Sequence, residues 1–296
     1  MPEGDTIFRA ARTLHRALAG QAVTRFETVY PALSRVDHDR PIAGRTVDSV
    51  SSRGKHLLIA FSGDLVLHTH MRMHGSWHLY RPGERWRNPA RDMRIVVETG
   101  AFVAVAFNVP VAEFLTSSEL ARHEQIQALG PDLAAASFDR AEVRRRIAAR
   151  GSEPIHDVLL DQRVLAGIGN VLKSEVLFVA RIDPFAPAGS ISDDKVDRLL
   201  DAAQRLMTMN TVESPGVPRA AGRRTTGSLD PNARVFVYGR AGKPCRRCGS
   251  IVQATKAGPD ARMTYWCGKC QGTGTETETE TEIGDRGSGI RIGNKG

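Results

Sequence analysis

The four cysteines constrain the fold of this chain more than any other feature. They form two pairs, Cys245-x-x-Cys248 and Cys267-x-x-Cys270, and there are no others in the sequence. Thiolate pairs at this spacing suit a tetrahedral zinc ribbon or finger. Two disulfides in a secreted module are the alternative, but the acidic N-terminal segment lacks the apolar core of a secretory signal. The sequence therefore predicts one structural zinc ion held by all four cysteines.

The charge of the chain indicates the class of its partner. The 296 residues carry a formal net charge of +8, which favours a polyanion. Combined with a zinc site, this excess makes nucleic acid the better interpretation. No apolar run approaches the length needed to span a bilayer. We expect no membrane contact, a cytoplasmic or nucleoid-associated location, and a monomer.

The first part of the chain has a leading helix followed by strand patterns. Asp5 is predicted to cap a helix that starts near Thr6. Its apolar face has four members: Ile7, Ala11, Leu14 and Leu18. From about 23 to 107 short apolar or alternating segments are separated by turn residues. We predict an N-terminal β-sandwich domain over residues 1–116 behind that helix.

The rest of the chain is predicted to be helical and then to end in a small metal module. Helical patterns interrupted by Gly and Pro indicate a helical domain over 117–229, and a Pro/Gly/Arg-rich linker is predicted at 213–233. A zinc-finger β-hairpin follows over 230–271, and the Thr-Glu and Gly-rich segment 272–296 is predicted to be disordered. The fold class is α+β.

The N-terminus carries a possible nucleophile. Removal of the initiator Met exposes Pro2 as a secondary amine. An α-amino group has a pKa of about 8, against about 10.4 for lysine, so more of it is neutral at pH 7. Its attack on a sugar aldehyde carbon gives an iminium ion directly, and the adjacent Glu3 is a candidate acid and base. Because proline is common at position 2, this feature alone does not indicate an enzyme.

A glycine-containing turn lies between two helical patterns. It reads Gly167-Ile168-Gly169-Asn170. We expect the glycines to let the backbone approach a ligand, and the helix that opens at Asn170 to offer its free N–H groups to a phosphate. A tight helix–helix turn with glycines for packing alone is the alternative.

Four motifs occur together in one order along the chain. They are MPEGD at the start, Gly54-Lys55-His56-Leu57, the Gly167–Asn170 turn, and Arg262-x-Thr264 just before Cys267. In this combination the chain resembles the formamidopyrimidine-DNA glycosylase and endonuclease VIII family over about residues 2–271. The resemblance implies a helix–two-turn–helix in the helical domain and a DNA repair enzyme acting on damaged bases.

The resemblance implies roles for three catalytic residues. Pro2 would be the nucleophile, and Glu3 would protonate the opening deoxyribose and support later proton transfers. Lys55, in a β-hairpin turn, would contact phosphate and assist catalysis. An ordinary solvated turn lysine is the alternative for Lys55.

The resemblance also implies a set of DNA-binding residues. Gly169 and Asn170 would hold a phosphate, and Arg262 would grip phosphates at the lesion. Damaged bases are out of reach inside a duplex, so such enzymes extrude the nucleotide. Met73 would fill the space it leaves, although a core methionine is an equal alternative.

One segment departs from the purine-specific pattern. Phe107-Asn108-Val109-Pro110 lies where purine-specific members carry a loop with an arginine and an aromatic residue. The missing arginine loop, the PEGDT start and the GKHL turn favour the endonuclease VIII branch. The resemblance to that branch implies double-stranded DNA containing oxidised bases, mainly pyrimidines, or abasic sites as substrate. A purine-type glycosylase and a non-catalytic zinc DNA-binding protein are the alternatives.

Overall fold

The computed structural model describes residues 2–211 and 223–272. The predicted disordered tail beyond Gly272 and residues 213–222 of the predicted linker lie outside this range. Within the described residues, each helix is too short or too polar to cross a membrane.

The N-terminal part is a sandwich of two antiparallel four-stranded sheets, as predicted. One sheet has the order β1 (Val23–Thr28), β6 (Met93–Thr99), β7 (Val103–Phe107) and β5 (Ser76–Tyr80). The other has the order β2 (Val47–Arg53), β3 (His56–Phe61), β4 (Leu65–His70) and β8 (Val111–Leu115). Helix α1 (Gly4–Leu18) packs on β2, and α2 (Pro31–Asp39) packs on β1 and β8. Side chains from both sheets and α1 share one core.

The start of α1 differs from the prediction. The helix begins at Gly4, so Asp5 lies inside its first turn and does not cap it. Asp5 is buried and accepts two hydrogen bonds from Arg223, at 2.6 Å from Nε and 2.5 Å from Nη2. A bidentate charge-assisted pair is stronger than an ordinary cap, and it fixes the carboxylate. The predicted cap was therefore wrong.

The middle of the chain is helical, with two long and several short helices. They are α3 (Ser117–Leu120), α4 (Glu124–Gln127), α5 (Arg140–Ala148), α6 (Ile155–Val158), α7 (Asn170–Ala180) and α8 (Asp193–Thr211). The pattern over 117–129 yields two single turns rather than one helix. Helix α7 is buried on nearly every side because it packs against α8 and against the C-terminal hairpin.

The C-terminal module is small and rests on α7. It contains β9 (Gln253–Ala257), β10 (Arg262–Trp266) and α9 (Gly268–Gln271), and its cysteines pack with Phe178 of α7. Glu175, fully buried on the same helix, accepts 2.8 Å hydrogen bonds from the N–H groups of Phe236, Val237 and Tyr238. Helix α7 thus anchors the chain that leads into this module.

Candidate active site

A cleft of about 290 Å³ lies where the sandwich, α7 and the C-terminal hairpin meet. We call its sandwich side the sandwich wall, formed by Pro2, Lys55, His70, Arg72 and Met73. We call its other side the helix–finger wall, formed by Leu160, Gln162, Gly169, Asn170, Asp260 and Arg262. The cleft therefore collects every predicted catalytic or DNA-binding residue except Glu3.

Glu3 is fully buried and faces the N-terminus of α7 instead of the open cleft. Its carboxylate accepts hydrogen bonds from the N–H groups of Val171, at 2.8 Å, and Leu172, at 3.1 Å. These are donors that a helix start leaves without an intrahelical partner. The expectation that they hold a phosphate is therefore wrong, because the protein's own carboxylate occupies the anion position. Through this contact Glu3 fixes the preceding Pro2 beside α7.

Glycines on both sides of the contact let the N-terminal segment pack closely on the turn before α7. The N–H of Gly4 donates to the carbonyl of Gly167 at 2.9 Å, and a Cβ on Gly4 would lie 2.7 Å from the Gly167 Cα. A Cβ on Gly169 would overlap the Glu3 side chain. The absence of a side chain on Gly4 and on Gly169 therefore admits this close approach, which supports the packing alternative, while Gly169 also lines the cleft.

Arg223 completes the support of the N-terminus and was missed from the sequence. Besides its pair with Asp5, its Nη1 lies 3.6 Å from the Glu3 carboxylate. Burial alone would raise the pKa of Asp5, but the hydrogen bonds and charge of Arg223 outweigh it and lower that pKa. More than 200 residues separate these groups in the chain, so local spacing carried no signal for the contact.

Lys55 occupies the turn between β2 and β3, as predicted. Gly54 has a positive φ of 56°, and its N–H donates to the Asp132 carboxylate at 2.7 Å, which ties the turn to the helical part. Burial lowers the pKa of Lys55 to about 8, opposed by the charge of Glu3 and reinforced by Arg262. Lys55 is therefore not an ordinary solvated turn lysine.

Met73 lies in the cleft and not in the core. Its side chain is 47% exposed, so the core alternative was wrong. Its sulfur lies 3.8 Å from Nη1 of Arg262, which starts β10 on the opposite wall. An exposed, flexible apolar side chain meets a cation here at the entrance of the cleft.

A buried lysine orients Asn170. Lys173, fully buried in α7, donates from Nζ to Asn170 Oδ1 at 2.9 Å, to Thr264 Oγ1 at 2.8 Å and to the Met263 carbonyl at 3.3 Å. Since the carbonyl oxygen of the Asn170 amide faces Lys173, its NH₂ group is left for the cleft. Burial lowers the pKa of Lys173 to about 8. A lysine in the mostly apolar segment VLKSEVLF was the available signal.

The four cysteines converge as the sequence predicted. Their sulfurs all lie within 4.8 Å of one another, with Cys245 to Cys270 at 3.9 Å and Cys248 to Cys267 at 3.5 Å. Zinc–sulfur bonds of about 2.3 Å place tetrahedral sulfurs about 3.8 Å apart. All four are free thiols, which removes the disulfide alternative. The cluster has the geometry to hold a metal ion.

Comparisons with known proteins agree with this site. The profile of the formamidopyrimidine-DNA glycosylase N-terminal domain matches residues 1–109. That of the formamidopyrimidine-DNA glycosylase H2TH domain matches residues 129–216, so the two cover more than half of the chain. The chain belongs to the formamidopyrimidine-DNA glycosylase and endonuclease VIII family.

Relatives within this family match almost end to end. A probable endonuclease 8 2 of Streptomyces coelicolor is 41% identical over 274 residues, covering 92% of this chain and 94% of the relative. The DNA-(apurinic or apyrimidinic site) lyase Nei2 of Mycolicibacterium smegmatis is 37% identical, covering 92% of this chain and 99% of the relative. These names agree with the endonuclease VIII-like assignment.

A solved structure of the family shares the fold. The Lactococcus lactis Fpg in complex with DNA containing N7-benzyl-Fapy-dG has a TM-score of 0.76 and 23% identity. The match covers 91% of this chain and 99% of that one. The same arrangement of sandwich, helical part and C-terminal module is therefore a known fold of the formamidopyrimidine-DNA glycosylase family.

The loop at the position where the resemblance places the arginine and aromatic residue of purine-specific members is short. The connection between β7 and β8 is only Asn108–Pro110. The Asn108 N–H donates to the Asp92 carbonyl at 2.8 Å, and the carbonyl of the fully buried Val109 accepts from the Tyr30 hydroxyl. The loop is thus tied to the sandwich and carries neither an arginine nor an aromatic side chain toward the cleft.

Proposed function

We propose that this protein is a bifunctional DNA glycosylase and abasic-site lyase that removes oxidised bases from double-stranded DNA. Enzymes of this family combine these two activities. The observation that carries the proposal for this chain is the position of Pro2, which lines the cleft beside Lys55 and is fixed there by Glu3.

The chemistry follows from a secondary amine facing a deoxyribose. In the chain without Met1, the Pro2 nitrogen attacks C1′, a C–N bond forms, and the bond from C1′ to the damaged base breaks as the base takes up a proton. The Pro2 nitrogen then loses its proton, and the C1′–O4′ bond breaks as O4′ takes up a proton, which leaves the opened sugar as an iminium ion on Pro2. The resulting iminium ion acidifies the C2′ proton. Loss of that proton expels the 3′ phosphate by β-elimination, which cleaves the strand.

Glu3 and Lys55 are proposed to support these proton movements. Glu3 is adjacent to Pro2 in the sequence, and its carboxylate is held against the N-terminus of α7. Lys55 lines the same cleft, and its pKa of about 8 lets it both carry a charge toward phosphate and exchange a proton near neutral pH.

The helix–finger wall is proposed to hold the DNA backbone. Asn170 presents its NH₂ group, Gly169 lies beside it, and Arg262 adds a cation on the same wall. Met73 is proposed to fill the space left by the extruded nucleotide. Phosphate contacts position DNA without reading sequence, so binding is expected to weaken steeply with salt.

We propose zinc as the ion of the four-cysteine cluster. Thiolate ligands in a closed tetrahedral set favour zinc, and such sites contribute folding free energy directly. The residues that would hold it are Cys245, Cys248, Cys267 and Cys270. The ion would keep β10, and with it Arg262, beside the cleft.

The preferred substrate, the domain boundaries, the oligomeric state and the location are also proposals. The short Asn108–Pro110 loop favours oxidised pyrimidines over 8-oxoguanine opposite cytosine. We propose that the chain is divided into domains over residues 1–116, 117–229 and 230–271. We also propose that the protein is a monomer with a cytoplasmic, nucleoid-associated location.

Borohydride trapping tests the central step. The processed protein is expected to become covalently linked to abasic-site DNA, and Pro2→Gly to trap far less. A cross-link that maps to a lysine, or equal trapping by the variant, would refute the role of Pro2 and assign the Schiff base to another amine. Absence of any cross-link with the processed wild type would favour a non-catalytic DNA-binding protein.

Single-turnover cleavage of matched duplexes tests the substrate. Thymine glycol and dihydrouracil are expected to be processed faster than 8-oxoguanine opposite cytosine at one salt concentration. The reverse order would assign the chain to the purine-type branch without affecting the Pro2 mechanism.

A further inference from the structure

A second group of metal-ligating side chains lies on the sandwich, away from the cysteines. His68 on β4 and Glu113 on β8 are direct partners in the register of these two strands. His123 comes from the segment just before α4. None of the three lines the cleft, and neither the sequence motifs nor the proposed mechanism uses them.

The ligand atoms of these three residues converge on one point. Nδ1 of His68 lies 2.8 Å and Nε2 of His123 lies 3.0 Å from Oε1 of Glu113. All three atoms lie within 4.8 Å of one another. Metal–ligand bonds of about 2.0–2.2 Å place tetrahedral ligands about 3.4 Å apart. The two measured contacts therefore need to open by only about 0.5 Å to admit an ion.

The burial of the three side chains suits a site with one open side. The His68 side chain is 1% exposed and that of His123 is 17% exposed, whereas that of Glu113 is 42% exposed. The two imidazoles are thus held by their surroundings. The carboxylate is free to shift, and it leaves a path for an ion and for water at the remaining coordination positions.

The surroundings of His68 supply a further feature of metal sites. Its second ring nitrogen, Nε2, lies 2.7 Å from Nδ1 of His56. A metal-bound imidazole normally donates its other N–H to a fixed acceptor, which sets its tautomer and orientation. With an ion on Nδ1, His68 would donate from Nε2 to His56, so the outer partner is already in place.

We propose that His68, Glu113 and His123 form a second metal site that binds one divalent transition-metal ion of the zinc and cobalt class. Two imidazoles and one carboxylate favour such ions over Mg²⁺ or Ca²⁺, which prefer oxygen ligands. The ion joins β4, β8 and the segment before α4, so it stabilises the packing of that segment on the sandwich. Through His56, the residue after Lys55, the site adjoins the sandwich wall.

The test measures metal stoichiometry on the full-length protein with its cysteine site loaded with zinc. Equilibrium dialysis against Co²⁺ is expected to add one ion per chain, with d–d bands but without a thiolate-to-metal charge-transfer band. Glu113→Gln, which keeps the shape of the side chain, and His123→Asn are each expected to weaken binding of this ion by more than about tenfold, the lower end of the effect of changing a partner outside the ligand set. His38→Ala, an exposed histidine on α2, is the matched control and is expected to bind like the wild type.

Thermal melting gives a second readout that does not depend on activity. Co²⁺ or Zn²⁺ is expected to raise the melting temperature of the wild type and of His38→Ala, and not that of Glu113→Gln. A wild-type protein that takes up no ion beyond its cysteine site would overturn the proposal and leave a hydrogen-bonded network. So would an additional ion that survives both Glu113→Gln and His123→Asn.

Discussion

The two walls of the cleft differ in what they offer DNA and in how they are held. The sandwich wall presents the amine of Pro2 and the low-pKa lysine Lys55, groups that react or exchange protons. The helix–finger wall presents an amide and a guanidinium, Asn170 and Arg262, which bind without reacting. This contrast indicates that the reacting amine and most of the groups that bind DNA lie on different walls and can be removed separately, with Lys55 proposed to take part in both.

The same helix supports both walls, but through different groups. The backbone N–H groups at the start of α7 hold Glu3 and hence Pro2. The side chain of Lys173, one turn later, holds Asn170 and the β10 hairpin that begins at Arg262. A change at either contact is therefore expected to affect one wall more than the other, which makes the comparison testable.

The largest expected effect is the loss of cleavage rate in the Pro2→Gly variant. Because the variant lacks the secondary amine, single-turnover cleavage of abasic-site DNA is expected to fall by about 10³-fold or more. Its dissociation constant for the same DNA is expected to stay within about threefold, since Pro2 is not among the residues proposed to contact phosphate. A loss of affinity as large as the loss of rate would show that the two walls do not act separately.

The next prediction tests whether the metal ion of the C-terminal module keeps Arg262 in place on the helix–finger wall. Cys267→Ser is expected to lower the metal content and to weaken DNA binding by about 100-fold, because the ion stabilises the module that carries Arg262. Thr255→Ala, on exposed β9 of the same module, is the control and is expected to bind like the wild type. Full affinity in a zinc-free Cys267→Ser protein would contradict the proposed role of the metal.

The parts of the site that the sequence predicted are those encoded in short segments. The cysteine pairs, the Gly54-Lys55 turn and the Gly167–Asn170 turn each act within a few residues, so their spacing reveals them. The alternation of the strands likewise predicted a sandwich, because a strand with one buried face repeats every second residue. These features needed no knowledge of distant contacts.

The parts that the sequence did not reveal depend on contacts between distant segments. Glu3 meets Val171 across 168 residues, and the Asp5–Arg223 pair spans 218. Lys173 reaches Thr264 across 91. Local capping rules favoured Asp5 as a helix cap, but Asp5 pairs with Arg223. They also favoured the α7 N-terminus as a phosphate site, but its N–H groups bind the buried Glu3 carboxylate.

A smaller effect separates the two supports of α7. Lys173→Met removes the donor that orients Asn170, so DNA binding is expected to weaken about tenfold. In the Asn170→Ala background the same change is expected to cost little, because the two residues act as one unit. Lys195→Met, at an exposed position of α8, removes the same charge and is expected to bind DNA like the wild type. Additive losses in the double variant would mean that Lys173 acts on the finger alone.

The smallest expected effect is a pH dependence that belongs to the sandwich wall. Burial lowers the pKa of Lys55 from its ordinary 10.5 to about 8, so Lys55 loses its charge as the pH rises from 7 to 9. If that charge contacts a phosphate, affinity for abasic-site DNA is expected to fall by about fivefold over this range. Lys55→Arg keeps its charge and is expected to show a flatter profile, with any remaining slope due to Lys173.

The contribution of Lys55 to the stability of the free protein has the opposite pH dependence, which separates its effect on DNA affinity from alkaline unfolding. A lysine whose pKa is lowered by folding binds its proton more tightly in the unfolded chain, so Lys55 destabilises the fold below about pH 8. That destabilisation shrinks as the pH rises from about 8 toward 10.5. Titrations of DNA affinity and of the melting temperature between pH 7 and 9 are thus expected to diverge in the wild type. In Lys55→Gln, which lacks the titrating group, this contribution to both slopes is expected to vanish. Parallel decreases of affinity and melting temperature in the wild type would show that Lys55 is not the group responsible.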